Sequence, residues 1–145
     1  MKVLDILTWP NEILKIPCVE VEEINEDRLE LANDMLHTIE SSSDGIGLSA
    51  NQVGRSERLV VMKVRKPYIM FNPVIVKTSK GKMDSVEGCL SFPGKEVIVR
   101  RWKWVAVEFT DENGERVRKK FRELESRCVQ HEIDHLNGIL MIVEK

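Results

Sequence analysis

The most constraining feature of the sequence is a pair of histidines, His131 and His135, which stand four residues apart and enclose Glu132. Residues four apart share one face of an α-helix, so both imidazoles can reach one metal ion if this segment is helical. The apolar spacing predicts a helix over 124–136, and Gly138 is a natural stop for it. The sequence therefore predicts a helix with both histidines on one face.

The remaining pattern predicts a second helix and a series of strands. Apolar residues at helical spacing predict a helix over 26–40, with Asn25 as its N-cap. Asn113 and Gly114 indicate a hairpin turn. This order is typical of an α+β fold: antiparallel or mixed β-sheets packed around the central C-terminal helix, with one N-terminal helix. Strands are predicted over 59–64, 69–71, 74–76, 97–99, 102–110 and 116–121.

Composition limits the classes of partner. The chain has 145 residues, enough for one domain over 1–145, and 42% of them are apolar. Its 22 basic and 24 acidic residues argue against sequence-specific nucleic-acid binding, and no apolar run approaches the length of a membrane helix. The first residues lack the pattern of a secretory signal, so a cytoplasmic protein is expected.

The segment 131–135 fits the HExxH arrangement, in which two histidines hold a metal ion and the glutamate serves as general base. A polar, solvated helix face is the alternative. A catalytic metal site needs a third protein ligand, and no histidine or cysteine follows His135. The third ligand must therefore come from upstream.

Four upstream residues are candidates for that ligand. His37 falls on the first predicted helix, where a surface or core-edge position is expected. The odd cysteine count does not suggest a disulfide framework; either one cysteine is a thiolate ligand or nucleophile, or all three are small buried residues. Cys18 and Cys128 have no surrounding motif. Cys89 lies in the segment 87–94, EGCLSFPG, whose glycines and proline can present a thiolate at a fixed place.

A further segment, 45–52, reads GIGLSANQ. Its alternating glycines suit a loop that runs close to a ligand and offers free backbone groups to an extended peptide. A phosphate loop is disfavoured, since no Lys-Ser/Thr pair follows. Gln52 either donates a side-chain N–H to an oxyanion or is an exposed polar residue.

Three segments together resemble the peptide deformylase family: GIGLSANQ at 45–52, EGCLSFPG at 87–94 and QHEIDHLNG at 130–138, in that order. The opening ILTWPNEILKIPCVEV is also similar to the family's N-terminal segment, so the resemblance covers nearly the whole chain. It implies a metal-dependent hydrolase that removes the N-formyl group from the N-terminal formyl-methionine of nascent peptides. The implied products are formate and a free amino terminus.

The resemblance also implies a role for each matching residue. Glu132 matches the general base and acid, while the Gln52 side chain and the Leu90 backbone N–H match the donors to the oxyanion. The implied metal ligands are Cys89, His131 and His135. The implied substrate-binding residues are Gly45, Ile46, Gly47, Glu87, Arg127 and Cys128, with Ile46, Cys128 and the aliphatic stem of Arg127 as candidates for the wall of a methionine pocket.

The implied cofactor is one divalent metal ion. A cysteine and two histidines suit zinc on ligand grounds, whereas the resemblance implies Fe²⁺ as the native ion, with Zn²⁺, Ni²⁺ or Co²⁺ in preparations. Glu87 and Arg101 match an ion pair of the family that braces the Cys89 loop. The implied partners are N-formylmethionyl nascent peptides and, transiently, the ribosome. A monomer is expected, because no heptad or large apolar stripe demands a partner.

The sequence departs from the family at three places. Ser49 replaces the usual alanine, and a buried hydroxyl there needs a hydrogen-bond partner. Glu96 stands where several relatives carry a basic residue near the pocket mouth, which leaves the preference for substrate residues beyond Met open.

The chain ends shortly after Gly138, as in compact members of the family, some of them encoded by bacterial viruses. Ribosome docking would then use another surface; the basic run 116–122 is a candidate, with a solvated hairpin strand as the alternative.

Two other functions fit the same residues. A small metal-dependent peptidase or amidase would use the same site, but the upstream ligand Cys89 and the donor Gln52 argue against it. The other alternative is a non-catalytic, metal-containing binder of formylated peptides. Glu132 argues against this binder, since a structural metal site needs no general base.

Overall fold

The computed structural model describes residues 1–43 and 45–141 and confirms the predicted α+β class. Short 3₁₀ helices occupy Glu12–Lys15 and Ala50–Val53. The longer elements in chain order are the helix α1 (Glu26–Glu40), the strands β1 (Gly47–Ser49), β2 (Leu59–Lys63), β3 (Pro67–Thr78), β4 (Lys82–Cys89), β5 (Phe92–Trp102), β6 (Trp104–Thr110) and β7 (Arg116–Arg122), and the helix α2 (Glu123–Leu136).

The strands in this part of the chain form one large and one small antiparallel sheet. β1, β2, β3, β6 and β7 form a five-stranded sheet in that order, whereas β4 and β5 pair with each other as a long hairpin. β6 and β7 run in register from Trp104 opposite Arg122 to Thr110 opposite Arg116. This pairing confirms the hairpin predicted from the turn residues between them.

β2 shows how the large sheet separates two apolar cores. Successive side chains of a strand point to opposite faces. Leu59 and Val61 therefore join the core beneath α1, whereas Val60 and Met62 join the core beneath α2. Each helix covers one face of the sheet, and α2 also lies against the β4–β5 hairpin through hydrogen bonds between Gln130 and the backbone of β5.

Both helices form where the sequence predicts them. The Asn25 side chain caps α1 by accepting the N–H of Arg28 at 3.0 Å. α2 begins at Glu123, one residue before the predicted start, and Gly138 follows its end with a φ of 75°. Neither helix has the length and apolar character that crossing a membrane requires, and no other helix in residues 1–43 and 45–141 does.

β3 is one strand where the sequence predicts two. Asn72 separates the predicted segments 69–71 and 74–76 and adopts a φ of 51°. Its side-chain amide exchanges two hydrogen bonds of 2.8 Å with the backbone of Val21, which holds this conformation. The register shift at Asn72 accommodates Pro73, which has no N–H to donate, so that β3 continues beyond it.

β4 and β1 are absent from the prediction. The sequence of β4, KMDSVEGC, is too polar to resemble a strand, but its pairing with β5 satisfies its backbone groups. The predicted strand 97–99 is only the middle of β5. The segment 45–52, interpreted from the sequence as a loop, contains β1 and most of the 3₁₀ helix Ala50–Val53.

Candidate active site

α2 holds the polar side chains that the sequence singled out. His131, Glu132 and His135 are all buried, and the two imidazoles contact the β4–β5 hairpin. Val129 and Ile133 belong to the apolar core between α2 and the large sheet. The helix therefore fixes its polar groups between two sheets.

Three metal-ligating atoms converge at the end of β4. Cys89 Sγ lies 3.2 Å from Nε2 of His135, which lies 3.2 Å from Nε2 of His131. Among the described residues, these three form the one group of histidine, cysteine and carboxylate donors close enough to hold an ion. One thiolate and two imidazoles suit a divalent transition metal. Of the upstream candidates, the structure thus brings Cys89 to the histidines.

A buried ion pair stands behind these ligands. Arg101 donates from Nε and Nη2 to the two oxygens of Glu87 at 2.8 and 2.7 Å, and from Nη1 to Asp134 at 2.6 Å. Burial, the largest influence, raises the pKa of Glu87, but the hydrogen bonds from Arg101 and His131 outweigh it and lower this pKa to about 2. The predicted pair is confirmed, and through Asp134 it ties the hairpin to α2.

Glu87 also orients a ligand. Its Oε1 lies 2.8 Å from Nδ1 of His131, so Nδ1–H donates to the carboxylate and Nε2 is left to face Cys89 and His135. Both oxygens of Glu87 are engaged by Arg101 and His131. The structure thus places this carboxylate beside the ligands, and its direct contact with a substrate stays a prediction.

The two histidines have opposite pKa shifts. Burial, the largest influence, lowers the pKa of His131, but hydrogen bonds with Cys89 and Glu87 outweigh it and raise this pKa to about 10. Burial and the neighbouring His131 lower the pKa of His135 to about 3. The pair of rings thus favours one positive charge rather than two.

Glu132 has a carboxylate that the described residues leave partly unpaired. Its Oε1 is buried and accepts no hydrogen bond from them, and burial raises its pKa to about 7. Gly47 gives it room: a Cβ there would lie 2.9 Å from Glu132 Oε2 and 2.6 Å from Cys128 Sγ. A glycine is therefore required beside the glutamate, which agrees with the prediction that this loop approaches a site closely.

Gln52 lies on the other side of Cys89 with its amide fixed at both ends. Its Oε1 accepts from the backbone N–H and the hydroxyl of Ser49, at 3.0 and 2.9 Å. Its Nε2 donates to Ser91 Oγ at 3.0 Å and approaches Cys89 Sγ at 3.5 Å. Gln52 is buried, so the alternative prediction of an exposed polar residue is wrong. Ser49 is also buried, and its hydroxyl has the hydrogen-bond partner that the sequence analysis expected it to need.

Two supporting residues were missed by the sequence analysis. Ser91 is the acceptor that points the Gln52 amide toward Cys89. Asn51 donates from Nδ2 to the carbonyl of His135 at 2.8 Å, and its Oδ1, 2.7 Å from Ser49 Oγ, shares the one Ser49 hydroxyl proton with Gln52 Oε1. Both lie inside the segments that carry the resemblance, but their roles depend on contacts between segments far apart in the chain.

A cavity of about 930 Å³ opens onto two of the three metal-ligating residues and onto Glu132. Cys89, His131 and Glu132 line it, and Leu90 lies at the turn between β4 and β5. Met83 and Leu124 also line the cavity, although the sequence did not predict them as pocket residues. All the predicted substrate-binding residues line it, namely Gly45, Ile46, Gly47, Glu87, Arg127 and Cys128.

The other cysteines are buried thiols. Burial raises the pKa of Cys18 to about 11 and raises the pKa of Cys128 well above its usual range. Cys18 belongs to the core beneath α2, and Cys128 lines the cavity beside Gly47. His37 lies half-buried on α1 and is not part of the metal-ligating group.

Comparisons with known proteins agree with this geometry. A family model of polypeptide deformylase matches residues 3–144. Peptide deformylase 1 of Clostridium acetobutylicum is 39% identical over 143 residues, which cover 98% of this chain and 94% of that one.

Solved structures are similar across the whole fold. The peptide deformylase from Ehrlichia chaffeensis in complex with actinonin gives a TM-score of 0.93 at 39% identity, covering 97% of this chain and 87% of that one. A probable peptide deformylase from Synechococcus phage S-SSM7 gives a TM-score of 0.89 at 38% identity, covering 94% and 96%. The family model, the relatives and the grouping of Cys89, His131 and His135 beside a buried glutamate agree: this chain belongs to the polypeptide deformylase family.

Proposed function

We propose that this protein removes the N-formyl group from the formyl-methionine of nascent peptides, giving formate and a free amino terminus. The observation that carries the proposal is the buried carboxylate of Glu132, whose Oε1 has no hydrogen-bond partner in the described chain. It lines the same cavity as Cys89 and His131. A carboxylate in that position is free to accept a proton.

Cys89, His131 and His135 would hold the metal ion through Sγ and the two Nε2 atoms. When bound, a divalent ion lowers the pKa of water and polarises a carbonyl oxygen. Fe²⁺ is the proposed native ion, supported by the resemblance of the three motifs, and Zn²⁺, Ni²⁺ and Co²⁺ also suit this donor set.

Glu132 is the proposed general base and acid. Its Oε1 accepts a proton from the water that attacks the formyl carbon, and the carboxyl group then delivers that proton to the leaving amine nitrogen. Burial keeps the pKa of Glu132 at about 7, near neutral pH, where a group can both accept and release a proton. Gly47 leaves the space that this exchange requires.

Gln52 and Leu90 are the proposed donors to the oxyanion that develops on the formyl oxygen. The Gln52 amide is held by Ser49 and Ser91, so its Nε2 faces Cys89 without reorganising during the reaction. The backbone N–H of Leu90 follows Cys89 directly. Preorganised donors of this kind typically contribute a factor of about 10²–10³ in rate.

The peptide is proposed to lie extended along β1. This strand is at the edge of the large sheet, and Gly45, Ile46 and Gly47 at its start line the cavity. An edge strand offers backbone groups to an added strand. Ile46, Cys128 and the stem of Arg127 would form the wall of the pocket for the methionine side chain.

The remaining proposals concern the setting of the enzyme. We propose a cytoplasmic monomer that meets its substrates at the ribosome, supported by the chemistry of formylated nascent chains. The basic side chains of β7 are the proposed docking surface, since Arg116, Arg118, Lys120 and Arg122 are exposed on its outer face.

Formate release from a formyl-Met-Ala-Ser peptide tests the function. Protein loaded with Fe²⁺ without oxygen is compared with Glu132→Gln, which keeps the shape of the side chain but cannot accept the proton. We expect kcat to fall by about 10²–10⁴. Glu123→Gln, at an exposed position in the first turn of α2, serves as the matched control and should retain the activity.

Each other outcome separates the alternatives. No release from parent protein with a full complement of ion would favour a non-catalytic binder of formylated peptides. Cleavage of an unblocked peptide at a comparable rate would indicate a peptidase. Equal release by parent and Glu132→Gln would remove the glutamate from its proposed role.

A further inference from the structure

Arg127 lines the cavity, and its guanidinium contacts a thioether sulphur there. It stands four residues before His131 on α2, so the two side chains leave the helix on the same face, one turn apart. Its side chain is partly buried and lines the cavity. Its Nη1 donates to the thioether sulphur of Met83, on β4, at 3.6 Å.

The guanidinium of Arg127 is not committed to a carboxylate. Among residues 1–43 and 45–141, no acidic oxygen lies within 4.0 Å of it, whereas Arg100 pairs with Asp84 and Arg101 pairs with Glu87. An arginine carries five N–H donors, and a single contact with Met83 uses one of them. Donors therefore remain for a ligand in the cavity.

The distance along α2 matches the reach of a methionine side chain. One helical turn separates the starting points of His131 and Arg127, about 5–6 Å along the axis. In a formyl-methionyl substrate, an extended chain of bonds carries the sulphur about 6 Å from the formyl carbon. A formyl group held beside His131 would thus carry its thioether one helical turn along α2, to the level of Arg127.

We propose that Arg127 is a specificity-determining residue that recognises the thioether of the substrate methionine by an N–H···S hydrogen bond. The Met83 contact within the chain shows the same donor and acceptor types meeting at the wall of the cavity. Sulphur is a weak but polarisable acceptor, and the aliphatic stem of the arginine packs against the rest of the side chain. This inference rests on the proposed function and adds a polar element to an otherwise apolar pocket.

A purely apolar pocket and this pocket differ in one measurable respect. Norleucine has the length and shape of methionine but carries a methylene in place of the sulphur. An apolar wall accepts both equally, whereas a donor aimed at the sulphur loses its acceptor when norleucine binds. We expect the parent protein to prefer formyl-Met-Ala-Ser over formyl-norleucine-Ala-Ser by about three- to tenfold in kcat/KM, mainly through KM.

Substitution of Arg127 tests whether the preference for methionine over norleucine depends on this residue. Arg127→Leu keeps a side chain of similar bulk near the helix but removes the donors, and its ratio for the two peptides should fall to about one. Arg127→Lys keeps the charge and one donating group, so an intermediate ratio is expected. Lys77→Leu, at an exposed position of β3 away from the cavity lining, is the control for the loss of a positive charge and should keep the parent ratio.

The outcomes separate this inference from the proposed function. Turnover of both peptides by the parent at equal kcat/KM would overturn the role of Arg127 and leave the deformylase assignment standing. Absence of turnover with either peptide would refute the assignment itself. Since the parent ratio needs no variant, the test does not depend on how well Arg127→Leu folds.

Two further results would also refute the proposal. Met83→Leu removes the internal acceptor and should keep or increase the preference for methionine; a ratio of one in this variant would assign the preference to Met83. A preference of the parent for peptides with an acidic second residue, lost in Arg127→Leu without a change in the Met/norleucine ratio, would show that the guanidinium binds a carboxylate instead.

Discussion

The two helices lie on opposite faces of one sheet and have nearly equal lengths, but they bury different chemistry. α1 buries mostly apolar side chains together with Asp34 and Thr38, whereas α2 buries a run of polar ones that includes His131, Glu132 and His135. Position in the fold therefore does not explain the difference. The hydrogen-bond partners of the buried polar side chains explain the difference between the two helices.

On α1 the buried polar groups are paired within the chain. Asp34 accepts the N–H of Lys2, and Thr38 accepts the N–H of Leu4 while donating to the carbonyl of Asp34. On α2 the pairing is incomplete. All the buried side-chain atoms without a partner in the described residues belong to this helix: Glu125 Oε2, Glu132 Oε1 and His135 Nδ1. A buried polar group normally finds a partner, so the unpaired Glu132 beside a cavity indicates where a ligand completes the structure.

The strongest test of this contrast is the removal of Cys89, the ligand that α2 does not supply. Cys89→Ala should lower the affinity for the ion by more than about 100-fold and reduce formate release to background. Stability without added ion should change little, because Cys89 is partly exposed at the end of β4. The ion content of the gel-filtered protein, measured by mass spectrometry, checks the expectation, and a full complement of ion would contradict it.

Substitution of Gln52 should lower both the catalytic rate and the stability of the fold. Gln52→Ala should lower kcat by about 10²–10³ with little change in KM, because Nε2 is lost as a donor. It should also lower the free energy of unfolding by about 1–2 kcal/mol, because the Ser49 N–H loses its acceptor. Steady-state kinetics and urea denaturation measure the two effects. Ser91→Ala, which keeps the donor and removes only its acceptor, should have a smaller effect on kcat; an equal loss would contradict the assignment of Nε2.

On the α1 side the effects should appear in stability alone. Met35 is fully buried beneath α1, and Met35→Ala should lower the free energy of unfolding by about 2–5 kcal/mol. The kcat/KM of the folded fraction should stay at the parent value. Urea denaturation and formate release on the same preparation compare the two, and a loss of kcat in fully folded protein would show that α1 contributes to the site.

The smallest expected effect concerns Glu57, which links α1 to the segment before β2. Burial, the largest influence, raises its pKa, but hydrogen bonds from Arg28 and Arg55 outweigh it and lower this pKa below its usual range. A depressed carboxyl pKa stabilises the fold above the unfolded-state pKa and stops doing so as the pH falls through the folded-state pKa.

Glu57→Gln should therefore lower the free energy of unfolding by about 1 kcal/mol at pH 7, with the difference shrinking below about pH 4. Urea denaturation across this pH range measures it. Glu26→Gln, at an exposed position in the first turn of α1, is the control. A difference that grows toward low pH would contradict the sign of the linkage.

Local patterns predicted the parts of this molecule that depend on local chemistry. The bounds of α1, its cap at Asn25 and the hairpin around Gly114 follow from neighbouring residues and were confirmed. β4 was missed, because its polar sequence becomes a strand only through pairing with β5. The break expected at Asn72 was wrong for a similar reason: the contact with Val21, distant in the chain, holds the bulge.

Some residues of the site could be predicted from local spacing and others could not, for the same physical reason. His131, Glu132 and His135 could be grouped from their spacing, since a helix fixes the relation between them. Cys89 could not be separated from the other cysteines by spacing alone, and the resemblance to a family selected it. The roles of Ser91 and Asn51 depend on contacts with Gln52 and His135 that no local pattern encodes.

In the described part of the chain, the hairpin of β4 and β5 forms no ladder with the large sheet, and its attachment to α2 has consequences for how the protein assembles. The ligands are divided between these two units, so the complete donor set exists only after the hairpin has docked through Arg101 and Asp134. An ion that binds the docked arrangement more tightly than the undocked one stabilises docking by mass action. Ion uptake during refolding therefore reports when the β4–β5 hairpin has docked onto α2.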